Sequence, residues 1–243
     1  MNNIQELFEH AVLNQQTNIG KLKKDFNSSK IRVASIDDFF SISLSKHLEE
    51  VFPIPSIKSD LKSKRYQIGK HIVSRDSGNL DLLHDSLKTM LSCFKSEIFV
   101  KFIAEVTDIP DLLPDYDDWG AGVQQTIRGG YLKKHIDSPY KDSARNLFRR
   151  INTIFYLNSN WNDSYNGNLE IWDDDKKLEP LFSIKPVINR LIIFETSSFS
   201  WHGHTKPLQC PEGMTRKSIA QFYYSQDNGM QNKIQEDPLW SIQ

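Results

Sequence analysis

From about residue 120 to residue 226 the chain is built of short segments rich in β-branched and aromatic residues, separated by Asn, Asp, Gly and Pro clusters. "GVQQTIRGGYLKKHID", "RRINTIFYLNS", "GNLEIWDD", "LFSIKPVINRLIIFE" and "RKSIAQFYYSQ" are the segments, and "NSNWNDSYNGN" between two of them is turn chemistry throughout. Residues of these types fit pleated, half-buried surfaces. The pattern therefore predicts an antiparallel sandwich or barrel for this half of the chain.

The first half has a different texture. Ile4, Leu7, Phe8, Ala11 and Val12 recur at helical spacing, which predicts a helix over residues 4–26. "IRVASIDDFF" reads as a short strand, and "SISLSKHLEEVFP" as a helix stopped at Pro53. "LDLLHDSLKTMLSCF" and "SEIFVKFIAEVTDI" are two further amphipathic helices, and Pro110 and Pro114 close the helical half. The expected class is α+β, with helices packed around an antiparallel core and a polar tail after Gln226.

Length and composition set the remaining bounds. The 243 residues suit one large domain, and 14 Phe with 5 Trp supply a substantial core. Lys+Arg 30 against Asp+Glu 31 gives no electrostatic footprint for nucleic acid or an anionic membrane. The N-terminus lacks a basic region followed by an apolar one, and no apolar run approaches the length of a bilayer span. Cys93 and Cys210 lie far apart and form no Cys-x-x-Cys pair, as expected of free thiols in a reducing compartment. The expectation is a cytoplasmic protein with neither nucleic-acid nor membrane partners. Its oligomeric state is not readable.

One pair of residues carries chemistry. His135 and Asp137 are separated by one residue on a strand-like segment, so both project from one face and can converge on one point. A third ligand must come from elsewhere, and "FSWHGHTKP" offers His202 and His204. Two neutral imidazoles and one carboxylate with open positions make the facial triad of non-haem Fe(II) oxygenases. Downstream, Arg216 and Ser218 repeat the same spacing. A guanidinium and a hydroxyl on one face suit a carboxylate, whose two oxygens Arg grips through parallel hydrogen bonds.

"GGYLKKHID", "RRINTIFYLNSNW", "GNLEIWD", "INRLIIFE", "WHGH" and "RKSIAQFYY" occur in the order and spacing of a known family. The chain resembles the prolyl-4-hydroxylase-like branch of the 2-oxoglutarate/Fe(II)-dependent dioxygenases over about residues 31–225. The resemblance implies a double-stranded β-helix (jelly-roll) core flanked by N-terminal helices. It divides the chain into a helical extension (1–30), a single dioxygenase domain (31–226) and a C-terminal tail (227–243). Within the domain, 31–119 would be helical support and 120–226 the jelly roll.

The resemblance also implies roles. The iron ligands fall on His135, Asp137 and His202, with His204 as the competitor for the third place. Arg216 matches the residue that pairs with the distal carboxylate of 2-oxoglutarate, and Tyr156 a tyrosine that supports it. Ser218 would be a second donor, and Asn152, of the same strand parity as Tyr156, would face the cosubstrate pocket. Animal-type prolyl hydroxylases often carry Lys where Arg216 stands, which leaves the substrate open but not the cosubstrate. Asp137 is the ligand that related halogenating enzymes lack, so hydroxylation is the implied reaction, with release of succinate and carbon dioxide. Fe(II), 2-oxoglutarate and O2 are the implied cofactor and cosubstrates, with ascorbate as an optional reductant.

A small-molecule or peptide substrate would sit at the barrel mouth, between loops 138–150 and 203–214. The first loop is basic through Lys141, Arg145, Arg149 and Arg150, which suits an acidic or phosphorylated group. Peptidyl proline, an amino acid and a sugar are the substrate classes implied. Two other readings use the same residues: a non-catalytic jelly roll that binds a ligand, and a zinc hydrolase. The latter needs a general base that the sequence does not display.

Overall fold

The computed structural model describes residues 4–55, 61–64, 67–73, 80–116, 121–137, 140–142, 147–226 and 239–240. Among these residues five α-helices lie in the first half: α1 (Ile4–Asn14), α2 (Ile19–Phe26), α3 (Ile42–Glu50), α4 (Asp85–Cys93) and α5 (Glu97–Thr107). The expected helix over 4–26 is thus two helices, joined by a 3-10 turn over Gln15–Asn18 where "NQQTN" offers no apolar periodicity. The strand expected over "IRVASIDDFF" ends at Ile36, because the backbone turns left-handed at Asp38. Helix α3 starts where expected, with the Ser41 hydroxyl accepting from the Leu44 amide, and stops at Val51 ahead of Pro53.

The strands, in chain order, are β1 (Val33–Ile36), β2 (Leu61–Lys64), β3 (Gln67–Val73), β4 (Leu113–Pro114), β5 (Gly122–Ile136), β6 (Tyr140–Asp142), β7 (Leu147–Tyr156), β8 (Leu169–Trp172), β9 (Phe182–Ile184), β10 (Arg190–Glu195), β11 (Trp201–His204), β12 (Thr215–Gln226) and β13 (Leu239–Trp240). All pairings are antiparallel among the described residues, in the order β1-β10-β7-β12-β5-β11-β8-β9. Strand β5 belongs to both halves of this curled sheet. Its first part pairs with β12, Thr126 opposite Arg216, and its second part with β11, His135 opposite His202.

Side-chain parity separates the two faces. On β7, β10 and β12 the residues Ile151, Phe155, Leu191, Ile193, Ile219 and Tyr223 turn outwards into one large core with the helices. Phe8, Phe40, Phe94, Phe99 and Phe155 interlock there with ring centroids 5.0 to 6.4 Å apart. Phe8 lies on α1, so the N-terminal helices share the core of the sheet rather than standing apart from it. The opposite parity, Tyr156, Ile192 and Phe194, meets Leu169 and Ile171 of β8 inside the curl. That inner face holds the site.

Cys93 and Cys210 are both buried free thiols, and burial pushes the Cys93 thiol up to about 11. No helix among the described residues is long and apolar enough to cross a membrane.

Candidate active site

The register already noted sets His135 and His202 directly opposite each other on neighbouring strands, and Asp137 follows at the end of β5. His135 Nε2 lies 3.4 Å from Asp137 Oδ1, and His202 Nε2 lies 3.6 Å from Asp137 Oδ2. One donor atom from each of the three residues falls within 4.8 Å of the other two. Both rings are oriented by the backbone: His135 Nδ1 is 2.9 Å from the Lys133 carbonyl and His202 Nδ1 is 3.1 Å from the Ser200 carbonyl. A carbonyl only accepts, so each ring donates through Nδ1, which leaves Nε2 turned towards Asp137 to hold a proton or, once that proton is released, a metal.

Asp137 is held from behind. Asn152 Nδ2 donates to its Oδ2 at 2.6 Å, and Thr196 Oγ1 donates to Asn152 Oδ1 at 3.4 Å. Arg149 Nη1 stands 3.3 Å from the same Oδ2. Burial alone pushes the Asp137 carboxyl up, but positive charge on His202, the His135 hydrogen bond and the Arg149 guanidinium outweigh it. The group is held well below the usual carboxylate range. A carboxylate kept ionised between two imidazoles favours positive charge at their meeting point. Two imidazole nitrogens and one carboxylate oxygen, clustered on one side, fit an Fe(II) ion with positions left for other ligands.

At the other end of the inner face lies a buried cation. Arg216 donates from Nε to the Gly167 carbonyl at 2.6 Å and from Nη2 to the Tyr156 hydroxyl at 2.7 Å. Burial raises the Tyr156 phenol against the lowering influence of Arg216, so the hydroxyl keeps its proton. Ser218 is buried opposite Tyr156, and Thr126 opposite Arg216. Strand β7 joins the two ends: Asn152 touches the metal ligand and Tyr156 the arginine. They stand four positions apart, about 13 Å of extended backbone. Ile154, Ile192, Phe194, Leu169 and Ile171 pack with Tyr156 into an apolar cluster on this face.

The structure separates the expected residues as follows. His135, Asp137 and His202 come together. His204, also buried, pairs in register with Leu132 across an irregularity in the ladder and stands outside the group of converging donor atoms. Tyr156, Arg216 and Ser218 share the far end. Asn152, expected at the cosubstrate, hydrogen-bonds the Asp137 carboxylate. The basic loop is corrected in part. Arg149 and Arg150 belong to β7, while the side chains of Lys141 and Arg145 lie outside the described residues.

Opposite β7, the register of β12 steps from Ile151 to Arg149 and skips Arg150, and such a bulge reverses parity. It turns Arg149 inwards, 3.9 Å over the Phe222 ring and 3.4 Å from the Tyr224 hydroxyl, while Arg150 reaches Ser225. Sequence reasoning missed Gly167, whose carbonyl holds Arg216. Its φ of +81° excludes most side chains, and an added Cβ would stand 2.6 Å from Leu208 Cδ2 and 3.2 Å from Arg216 Cδ. The "YNGN" turn was the available signal.

The clamp on Asp137 has a measurable consequence. Replacing Asn152 with alanine removes the 2.6 Å donor and should weaken divalent-metal binding about 10–100-fold. Titration of the metal-free protein with Co(II) by calorimetry checks this; unchanged affinity would assign Asn152 a packing role only.

Comparison with known proteins agrees with this geometry. Residues 121–224 match the family model of the 2OG-Fe(II) oxygenase superfamily. Over 79 residues the chain is 35% identical to prolyl 3-hydroxylase OGFOD1 of Mus musculus, an alignment covering 31% of this chain and 14% of that protein's length. Among solved structures, a Pseudomonas putida prolyl-4-hydroxylase superposes with TM-score 0.58 at 15% identity, covering 86% of this chain and all of that one. A Trichoplax adhaerens prolyl hydroxylase, solved with a hypoxia inducible factor peptide fragment, gives 0.55 at 17% identity over 89% and 91%. The antiparallel curl, the His-Asp-His cluster inside it and the family match over the same strands agree: residues 121–224 fold as a double-stranded β-helix and are similar to the 2OG-Fe(II) oxygenase superfamily.

Proposed function

We propose that this chain is a 2-oxoglutarate- and Fe(II)-dependent hydroxylase of an aliphatic C–H bond, with peptide-bound proline as its substrate class. One observation carries the reading: the inner face of one curled sheet has a His-Asp-His cluster at one end and a buried arginine at the other. The names of the relatives, prolyl hydroxylases among them, support the substrate class.

Bound together, Fe(II) and 2-oxoglutarate supply oxidative decarboxylation to succinate and carbon dioxide and the oxidising power for the C–H bond. The protein supplies position. His135, Asp137 and His202 are the residues that would hold the metal. Asn152 and Arg149 keep one carboxylate oxygen of Asp137 engaged and so fix its orientation. Arg216, steadied by Gly167 and Tyr156, neutralises the distal carboxylate of the cosubstrate, which would be costly to bury alone. The apolar cluster on the same face excludes water from the reacting centre.

Anaerobic addition of Fe(II) and 2-oxoglutarate should give a weak visible charge-transfer band, and aerobic incubation with pooled proline-containing peptides should release succinate. His202→Ala should abolish the band, whereas His204→Ala should keep it. No band with the unaltered chain would leave a ligand-binding jelly roll or a zinc site as the better reading.

A further inference from the structure

Strand β5 carries His135, and its two sides are covered unequally. On one side β12 and β11 bring Arg216 and His202. On the other, β3 runs along it in register from Val73 opposite Val123 to Gln67 opposite Leu132. Beyond that point the cover among the described residues is β13 alone, with Leu239 opposite Ile136 and Trp240 opposite His135. Two residues form the shortest ladder, and in antiparallel pairing only alternate opposed residues exchange hydrogen bonds. The grip on this stretch of edge is therefore weak, and it falls at the residue that supplies a metal-facing imidazole.

We propose that the backbone edge of β5 at His135 and Ile136 is an acceptor site for an extended peptide, and that Leu239–Trp240 fills it in cis as a competitor. The edge is competent for strand addition because it already holds a strand in antiparallel register. A strand added there runs about 4.8 Å from β5, so a peptide taking that place passes beside the metal cluster. Main-chain pairing supplies affinity without demanding one sequence, which suits an enzyme that must present a single residue of a longer chain. The inference deepens the hydroxylase reading by giving the conformation in which a peptide is presented, and it rests on that reading for its role in catalysis.

The test uses the metal-free chain of residues 1–243, so its failure leaves the iron-dependent band, and with it the oxygenase reading, untouched. A fluorescently labelled peptide of residues 235–243, QEDPLWSIQ, is titrated into the unaltered chain and into Leu239→Pro/Trp240→Pro. Proline has no N–H to donate, so the double substitution empties the edge whichever residue makes the bond. The peptide should bind the variant about tenfold more tightly than the unaltered chain, a difference of about 1.4 kcal/mol. A peptide with proline at both positions should bind neither chain. Amide exchange at residues 135–137 should accelerate in the variant and slow again when the peptide is added. Equal affinity for both chains, binding of the proline peptide, or exchange at 135–137 that the peptide leaves unaltered would each overturn the proposal. The unaltered chain gives a reading that needs no variant to fold: full exposure of these amides would also overturn it.

Discussion

Replacing Arg216 with methionine should weaken 2-oxoglutarate binding by about 10²–10³-fold, the loss expected when one partner of a buried ion pair of roughly 3–4 kcal/mol is removed. Methionine approximates the length of the side chain and keeps an apolar stem beside Gly167, where Arg216 Cδ lies, but it leaves the incoming carboxylate without a cation. The Tyr156 hydroxyl and Gly167 carbonyl lose their donor in the same step. Divalent-metal affinity should be unchanged, because Arg216 and the His-Asp-His cluster occupy opposite ends of the inner face. Arg216→Lys should recover part of the loss, since an ammonium restores the charge but not the fork that serves Gly167 and Tyr156 together. Anaerobic titration of the Fe(II)-loaded protein, followed by the visible band, measures the affinity, and calorimetry with Co(II) measures the metal. Full cosubstrate affinity in the methionine variant would place the anchor elsewhere.

What the sequence disclosed of this site follows from strand geometry. His135 with Asp137, and Arg216 with Ser218, are each two residues apart, and alternation alone sets each pair on one face. Tyr156 and Asn152 share parity for the same reason, and both are found on the inner face. What alternation does not give is position along the strand. Asn152 lies at the metal end of β7 and Tyr156 at the arginine end, a distinction that depends on the long-range register with β5 and β12.

Departures from alternation were also invisible. The irregular ladder between His202 and His204 removes His204 from the cluster that His202 joins. The bulge opposite Tyr223 and Tyr224 turns Arg149 from an apparent loop cation into the inward partner of Asp137. In the helical half, amphipathic spacing located the helices, but not the 3-10 break at Gln15–Asn18. Nor did it show that Phe8 would enter the same core as Phe155. Those are tertiary outcomes, decided by which apolar faces meet.

The glycine between the two histidines should be the residue whose smallest change does most damage. An alanine Cβ at Gly203 would lie 2.8 Å from the Leu132 carbonyl oxygen and 2.9 Å from that of Lys133, both backbone atoms of β5 with little freedom to retreat. The Lys133 oxygen is also the acceptor that orients the His135 ring. One methyl group therefore pushes at both imidazoles: it forces β11 and His202 away from β5, and it disturbs the carbonyl behind His135. Overpacking of this kind costs about 1–3 kcal/mol of stability. Misplaced ligands should lower divalent-metal affinity by about 10–100-fold. Gly213→Ala is the control: Gly213 has a φ of +80° but nothing within 4 Å of an added Cβ, so its strain is local and metal affinity should be retained. Gly20, in α2 with the same open surroundings, should if anything gain about 0.5–1 kcal/mol of stability as alanine. Thermal melting and Co(II) calorimetry on the three variants separate the effects. If Gly203→Ala binds metal as tightly as Gly213→Ala does, the close approach of β11 to β5 is not what holds the two imidazoles together.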